Sequence, residues 1–145
     1  MILPDVNLLV YAYNLDAPLH LPAKRWWEGC VGGSQPVAIP WVVALGFLRV
    51  MTSRVALQQP MEMAVALGHL RRWLECPTVL ILQPGPRHLA ILTSFAEAGI
   101  LHGSLLTDAH IAALAIEQQA VVHSNDSDFS RFPGLRWSNP LLGTP

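Results

Sequence analysis

The architecture of this protein follows from residues 1–12, Met1-Ile2-Leu3-Pro4-Asp5-Val6-Asn7-Leu8-Leu9-Val10-Tyr11-Ala12. A very short apolar run ends at a carboxylate, and an apolar series at helical spacing follows. This pattern predicts a strand over residues 2–4 and a helix over residues 7–13. In an α/β protein, ligands bind outside the carboxyl ends of the sheet strands. Asp5 and Asn7 are therefore predicted to lie at a binding site.

Acids stand at the edges of two further apolar runs. Thr107-Asp108-Ala109-His110 opens an alanine-rich series that predicts a helix over residues 108–118, with Thr107 as its N-cap. Asn125-Asp126-Ser127-Asp128-Phe129 follows a predicted strand over residues 121–123. The fold is predicted to bring these two places together with the acid of the first stretch.

The rest of the chain alternates short apolar runs with helical patterns. Strands are predicted over residues 37–39, 79–82 (a buried one) and 135–137. Helices are predicted over residues 23–30, 40–54, from Pro60 to before Pro77, and 87–98, the last with Leu89, Leu92 and Ala96 facing inward. Such alternation predicts an α/β fold, with a short, mostly parallel central sheet flanked by helices on both faces. The length favours a single domain over residues 1–145.

The composition limits the class of protein. The chain is 52% hydrophobic and only 13% charged, which predicts an exposed apolar face and a protein partner. No apolar run is long enough to cross a bilayer and no signal peptide is recognisable, so a cytoplasmic protein is expected. A net charge of −1 argues against a general nucleic-acid coat protein but allows local contact with phosphates. Cys30 and Cys76 are predicted to be unpaired, small buried hydrophobes.

The three acidic places favour a hard divalent cation. Converging carboxylates repel one another, and Mg²⁺ or Mn²⁺ prefers carboxylate and water oxygens. No zinc-type His-Glu-x-x-His or Cys-x-x-Cys pattern, phosphate-binding Gly-x-x-x-x-Gly-Lys loop or Gly-x-Ser-x-Gly nucleophile turn occurs in the chain. A metal held in this way can orient a phosphodiester, polarise its oxygens and lower the pKa of an attacking water.

Motifs along nearly the whole chain resemble those of PIN-domain ribonucleases, specifically the VapC toxins of bacterial VapBC toxin–antitoxin pairs. The matching stretches are Leu3-Pro4-Asp5-Val6-Asn7-Leu8-Leu9, Pro40-Trp41-Val42-Val43 with Phe47-Leu48-Arg49, Thr107-Asp108-Ala109-His110-Ile111-Ala112-Ala113-Leu114-Ala115, and Ser124-Asn125-Asp126-Ser127-Asp128-Phe129 with Arg131-Phe132-Pro133-Gly134-Leu135. The resemblance implies a PIN-like three-layer sandwich. It also implies a metal-dependent endoribonuclease, a VapB-type antitoxin as partner, a homodimer and a toxin–antitoxin hetero-oligomer.

The resemblance assigns roles to individual residues. Asp5, Asp108 and Asp126 match the metal-holding acids, and Asp128 matches a neighbouring acid that supports the site or holds a water. Asn7 matches a polar residue expected to hydrogen-bond the acids. Arg49 and Arg131 are candidates for contact with RNA phosphates, because their motifs adjoin the acids.

One position departs from the family pattern. Many members carry a glutamate in the third helix, and Gly46 stands at the aligned position here. The predicted third helix contains no acid at all, so we expect a single, weakly held Mg²⁺ or Mn²⁺.

Other interpretations stay open at this level. Each acid could simply cap a helix or turn, and the missing glutamate could leave a domain that binds RNA or protein without cutting. A small phosphatase or receiver-like domain also clusters aspartates, but the only lysine, Lys24, is remote from the acids in sequence. His110 is expected to make a polar contact rather than to act in catalysis.

Overall fold

A five-stranded parallel sheet forms the centre of the computed structural model, which describes residues 1–142. The strand order is β3-β2-β1-β4-β5, and every neighbouring pair is parallel. The strands are β1 (Ile2–Pro4), β2 (Val37–Pro40), β3 (Val79–Leu82), β4 (Val121–His123) and β5 (Arg136–Ser138). The parallel sheet confirms the predicted fold class. Residues 143–145 of the predicted domain lie outside the described residues.

Six α-helices connect the strands within residues 1–142. They are α1 (Val6–Tyr13), α2 (His20–Gly32), α3 (Trp41–Met51), α4 (Met63–Glu75), α5 (His88–Glu97) and α6 (Leu106–Glu117). Helices α1, α2, α3 and α4 pack against one another, whereas α5 packs on α6, so the sheet is the middle layer of a three-layer sandwich. Short 3-10 helices occupy Gly103–Leu105 and Ser127–Arg131. No helix in the described chain is both long and apolar enough to span a membrane.

The central strands are buried because helices cover both of their faces. Leu3 of β1, Ile39 of β2 and Val122 of β4 are completely inaccessible to solvent. On one side Phe47 and Trp73 pack with ring centroids 4.7 Å apart. Truncating such a buried aromatic residue costs about 3–5 kcal/mol, so this contact stabilises the packing of α3 on α4.

Several local predictions were wrong. The third helix ends at Met51 rather than Arg54, and Leu80 of the supposedly buried strand is 41% exposed because β3 lies at an edge of the sheet. In α5 the buried residue is Phe95, whereas the predicted inward residue Leu89 is 75% exposed. Thr107 does not cap α6, which begins at Leu106 as a continuation of a 3-10 turn. The two cysteines are unpaired, as predicted, although Cys76 is only partly buried.

Candidate active site at the carboxyl rim of the sheet

Asp5 lies where β1 ends and α1 begins. Its backbone N–H donates to the carbonyl of His123 at 2.9 Å, which ties the end of β1 to the end of β4. Its carboxylate accepts from the N–H of Val6 at 2.7 Å, so Asp5 is the N-cap of α1. The residue is only 8% exposed. Asp5 therefore both caps α1 and lies at the carboxyl end of β1.

Ser124 connects the acids of β1 and β4. Its Oγ donates to Oδ2 of Asp5 at 2.7 Å and accepts from the N–H of Asp126 at 2.9 Å and from Nδ2 of Asn7 at 3.0 Å. A hydroxyl has one hydrogen, and two N–H groups already point at this oxygen, so that hydrogen must go to Asp5. Both carboxylate oxygens of Asp5 therefore accept, an arrangement that suits the ionised form.

Burial nevertheless raises the pKa of Asp5 above its ordinary value. The hydrogen bonds from Ser124 and Val6 lower this pKa, and the negative charge of Asp126 raises it again. The net direction is upward, so the hydrogen bonds do not offset burial and repulsion completely. A cation placed beside Asp5 would relieve both effects.

Asp108 lies close enough to the other three predicted acids for their charges to act on its pKa. It lies in the first turn of α6 and is half-buried. Burial first, and then the negative charges of Asp5, Asp126 and Asp128, raise its pKa to about 6. The structure therefore brings together all four predicted acids, which we call the carboxylate cluster (Asp5, Asp108, Asp126 and Asp128).

The last two members of the cluster lie on the turn after β4. Asp126 is exposed and caps the 3-10 helix Ser127–Arg131 by accepting from the N–H of Asp128 at 2.9 Å. Asp128 in turn lies 3.2 Å from Nε of Arg131, with both side chains largely exposed. Exposed pairs of this kind are weak, so Arg131 is free to exchange Asp128 for another anion. Arg49 is exposed on α3, and no carboxylate in residues 1–142 lies within 4 Å of its charged group.

Asn7 supports the cluster indirectly rather than by touching an acid. Besides donating to Ser124, it accepts from the N–H of Asn125 at 3.3 Å. Oδ1 of Asn125 accepts from Nδ2 of Asn139, which follows β5, at 3.0 Å. Sequence reasoning assigned no role to Ser124 or Asn139. For Ser124, the one signal in the sequence was its position directly before the acidic motif.

The environment of Gly46 explains why no larger residue fits there in this structure. Gly46 is buried on α3, and a Cβ added to it would lie 2.7 Å from Cγ2 of Val6. That distance is a steric clash, because Val6 is held in place by the cap of α1. A glutamate at this position would require a different residue at position 6. The described α3 contains no acidic residue, as predicted.

The donor atoms of the cluster fit Mg²⁺ or Mn²⁺ in their chemistry. No three His, Cys, Asp or Glu side chains within residues 1–142 are placed to ligate one ion together. Magnesium, however, usually keeps several waters and is bound directly by only one or two carboxylates. Burial, and after it the negative charge of neighbouring acids, raises the pKa of both Asp5 and Asp108, and a bound cation would offset both effects. The residues therefore fit an ion that one or two acids bind directly and the others bind through water.

His110 does not belong to the carboxylate cluster. Its Nδ1 lies 2.9 Å from Nε2 of His88 at the start of α5. Nδ1 of His88 lies 4.0 Å from the carboxylate of Glu117, which also accepts from the N–H groups of Gly85 and Arg87. These contacts join α5 to α6, so the histidine makes a polar structural contact, as predicted.

An open depression borders the cluster on the side of α1. It is lined by Asn7, Tyr11, Asn125, Asp126 and Ser127, and we call it the rim depression. Asn7 and Tyr11 are four residues apart on α1 and therefore share a face of that helix.

The chain is similar in sequence to known proteins. Residues 2–135 match the PIN domain family. The chain is 40% identical over 141 residues to Ribonuclease VapC33 of Mycobacterium tuberculosis, covering 97% of this chain and 99% of that protein. It is 37% identical over 136 residues to Ribonuclease VapC37 of the same species, covering 94% of each.

Solved structures share the fold at low sequence identity. VapBC2 from Rickettsia felis, bound to a DNA fragment of its promoter, superposes with a TM-score of 0.67 at 20% identity, over 96% of this chain and 98% of that one. VapC20 of Mycobacterium tuberculosis, described as a toxin that cleaves the sarcin-ricin loop, superposes with a TM-score of 0.62 at 19% identity, over 94% and 99%.

Proposed function

The chain belongs to the PIN domain family, and from this premise we propose that it is an endoribonuclease, the toxin of a type II toxin–antitoxin pair. Relatives named as VapC ribonucleases are up to 40% identical over nearly the full length of both chains. The observation that carries the proposal is the carboxylate cluster, in which burial, and then the charges of three neighbouring acids, raise the pKa of Asp108 to about 6.

The cofactor of the reaction is proposed to be Mg²⁺ or Mn²⁺, held by Asp5, Asp108 and Asp126. When bound, such an ion orients a phosphodiester, polarises its oxygens and lowers the pKa of the attacking water. Asp128 would hold a water or support the site. The loss of a glutamate at Gly46 leaves the ion one carboxylate fewer, so we expect weak binding.

Other residues at the rim hydrogen-bond the acids or supply positive charge beside them. The single hydrogen of Ser124 keeps Oδ2 of Asp5 an acceptor, and the backbone of Val6 does the same for Oδ1. The charge of Arg131 is available for a phosphate oxygen because its contact with Asp128 is exposed. Arg49, exposed and without an acidic partner in the described chain, is the second candidate for phosphate contact.

The partners proposed are RNA, a VapB-type antitoxin and a second copy of the chain, all in the cytoplasm. Large apolar side chains support a protein partner because they remain exposed on several helices and on the turn after α1. They include Leu15, Leu21, Trp41, Leu45, Met63, Val65 and Leu67. Burying them against an antitoxin and a second copy would account for a surface with so little charge.

The experiment is cleavage of total RNA with Mn²⁺, comparing the wild type with Asp5→Asn and with Asp16→Asn. Asp16 is an exposed acid between α1 and α2 and serves as the matched control. We expect cleavage by the wild type and the control and none by Asp5→Asn. Growth arrest on expression should likewise disappear with Asp108→Asn. RNA binding without cleavage by any variant would favour the alternative, a PIN domain that has become a binding module.

A further inference from the structure

We propose that the rim depression binds one unpaired base of the RNA, which stacks on Tyr11 and accepts a hydrogen bond from the side-chain amide of Asn125. The inference rests on the proposed function, because it assigns the site a base preference. Asn139 is the positioning residue, since it acts on the base only through Asn125.

The orientation of Asn139 is fixed by the backbone. Its Oδ1 accepts from the N–H of Leu141 at 3.0 Å. A backbone N–H can only donate, so the oxygen of the Asn139 amide must face it and the NH₂ group must face the other way. That NH₂ group donates to Oδ1 of Asn125 at 3.0 Å.

The orientation of Asn125 follows from that of Asn139. Its oxygen is occupied, so its NH₂ group is the part of the amide that remains for a ligand. No acceptor for this NH₂ group lies within residues 1–142, although the backbone N–H of Asn125 is bonded to Asn7. Asn125 therefore brings to the lining of the rim depression an NH₂ donor that is unpartnered in the part of the chain that the structure describes, while its oxygen is bonded to Asn139.

Tyr11 supplies an aromatic surface to the same depression. Single-stranded RNA is recognised by stacking of splayed bases on aromatic side chains and by hydrogen bonds to base edges. Tyr11 is half-buried and lies one helical turn from Asn7, so the packing of α1 fixes its backbone.

A neutral base suits the depression whether or not a cation is bound beside Asp126. Asp126 lines it together with Asn125, and its carboxylate would repel an anion that lacked a cation between them. A neutral base meets no such repulsion. We place the Asn125 donor against the exocyclic group on C4 of a pyrimidine or C6 of a purine. There uracil and guanine carry an accepting carbonyl, whereas cytosine and adenine carry an amino group that cannot accept, so the base that fits is uracil or guanine.

The test is the base composition around cleavage sites, read by sequencing the ends of cut RNA. The wild type should show a preference for uracil or guanine at one position beside the cut. Asn125→Ala and Asn139→Asp should reduce this preference at least fivefold. Asn139→Asp keeps an oxygen for Leu141 but replaces the donor to Asn125 with a charged acceptor, so the Asn125 amide is no longer held in its orientation. Gln118→Ala, an exposed amide at the far end of α6, should preserve the preference. Thermal unfolding of each variant shows that the fold is retained.

Tyr11 gives a second readout. Replacement by leucine should raise the KM for single-stranded RNA about tenfold, and replacement by phenylalanine should raise it less than threefold, because stacking needs the ring and not the hydroxyl.

The outcomes separate the base site from the nuclease. Two results would contradict the proposed base site and leave the proposed nuclease function intact. One is cleavage by the wild type without a base preference, and the other is a preference that persists in Asn125→Ala and Asn139→Asp. If no RNA is cut but fluorescence anisotropy shows tighter binding of uracil- or guanine-rich oligonucleotides, lost in Asn125→Ala, the base site stands without the nuclease. Absence of both cutting and binding overturns both.

Discussion

Oγ of Ser124 lies 2.7 Å from Oδ2 of Asp5, although the two residues are 119 positions apart in the chain. This hydrogen bond joins the ends of two neighbouring parallel strands through a completely buried side chain. Since the same oxygen accepts from Asp126 and Asn7, one atom sets the positions of groups from both sides of the rim.

Ser124→Ala should destabilise the protein and nearly abolish cleavage. The change leaves two N–H groups without their acceptor and one oxygen of Asp5 without its donor, which should cost about 3 kcal/mol. Urea unfolding measures the loss. Ser127→Ala, an exposed serine on the same turn, should lose less than about 0.5 kcal/mol. Equal stability of the two variants would contradict the role given to Ser124.

Asp108→Asn should stabilise the metal-free protein at neutral pH. The pKa of Asp108 is raised from 3.8 to about 6, so its stability contribution is fully present below pH 3.8 and lost as the pH rises through 6. Asparagine stays neutral, and the half-exposed site limits the gain above pH 7 to about 1 kcal/mol, or about 2–4 °C in Tm. Thermal melts in EDTA at pH 4 and pH 8 test this, with a difference expected only at pH 8.

Gly46→Ala should destabilise the protein, even though alanine is the better helix former. The added Cβ would lie 2.7 Å from Cγ2 of Val6, and such overpacking costs about 1–3 kcal/mol. Adding Val6→Ala should recover most of the loss, because the contact atom is removed. If the double variant loses, relative to the wild type, the sum of the losses of the two single variants, the clash is not the cause.

Glu117→Gln should loosen the connection between α5 and α6. Burial raises the pKa of Glu117. Two effects lower it by more: the hydrogen bonds from the N–H groups of Gly85 and Arg87, and the charges of His88 and Arg87. The net shift of the pKa is therefore downward from 4.5. The carboxylate therefore adds stability above pH 4.5 that is lost as the pH falls through its lowered pKa. Glutamine can accept at only one of its two terminal atoms.

Hydrogen exchange of the Gly85 and Arg87 amides measures this effect. Exchange should be faster in Glu117→Gln than in the wild type at pH 7, and the difference in stability between the two proteins should shrink below pH 4.5. Equal protection of both amides at pH 7 would show that the carboxylate does not hold this loop.

The strands and the acidic residues after them could be predicted because both follow regular patterns in the sequence. Strand β3 was predicted with its observed bounds. Asp5 follows directly on the first predicted strand, and Asp126 comes three residues after the end of the strand predicted over residues 121–123. Parallel strands bring their carboxyl ends together whatever the loops between them do. The meeting of the four acids therefore needed only the correct fold class.

Contacts between single side chains were not predictable. The hydrogen bonds of Ser124 and Asn139 depend on the register of β1, β4 and β5, which one sequence does not reveal. The inward face of α5 was misjudged because that helix is apolar almost all round, and only tertiary packing selects Phe95 over Leu89. The conflict between Gly46 and Val6 likewise appears only when α1 and α3 are packed together.

The central claim is that the carboxylate cluster holds a divalent cation, and titration calorimetry of the folded protein with MnCl₂ tests it most directly. We expect one weak site in the wild type, at least tenfold weaker binding in Asp5→Asn and Asp126→Asn, and unchanged binding in the exposed control Asp16→Asn. Absence of manganese and magnesium binding to the folded wild type, or equal binding by all four proteins, would contradict the account.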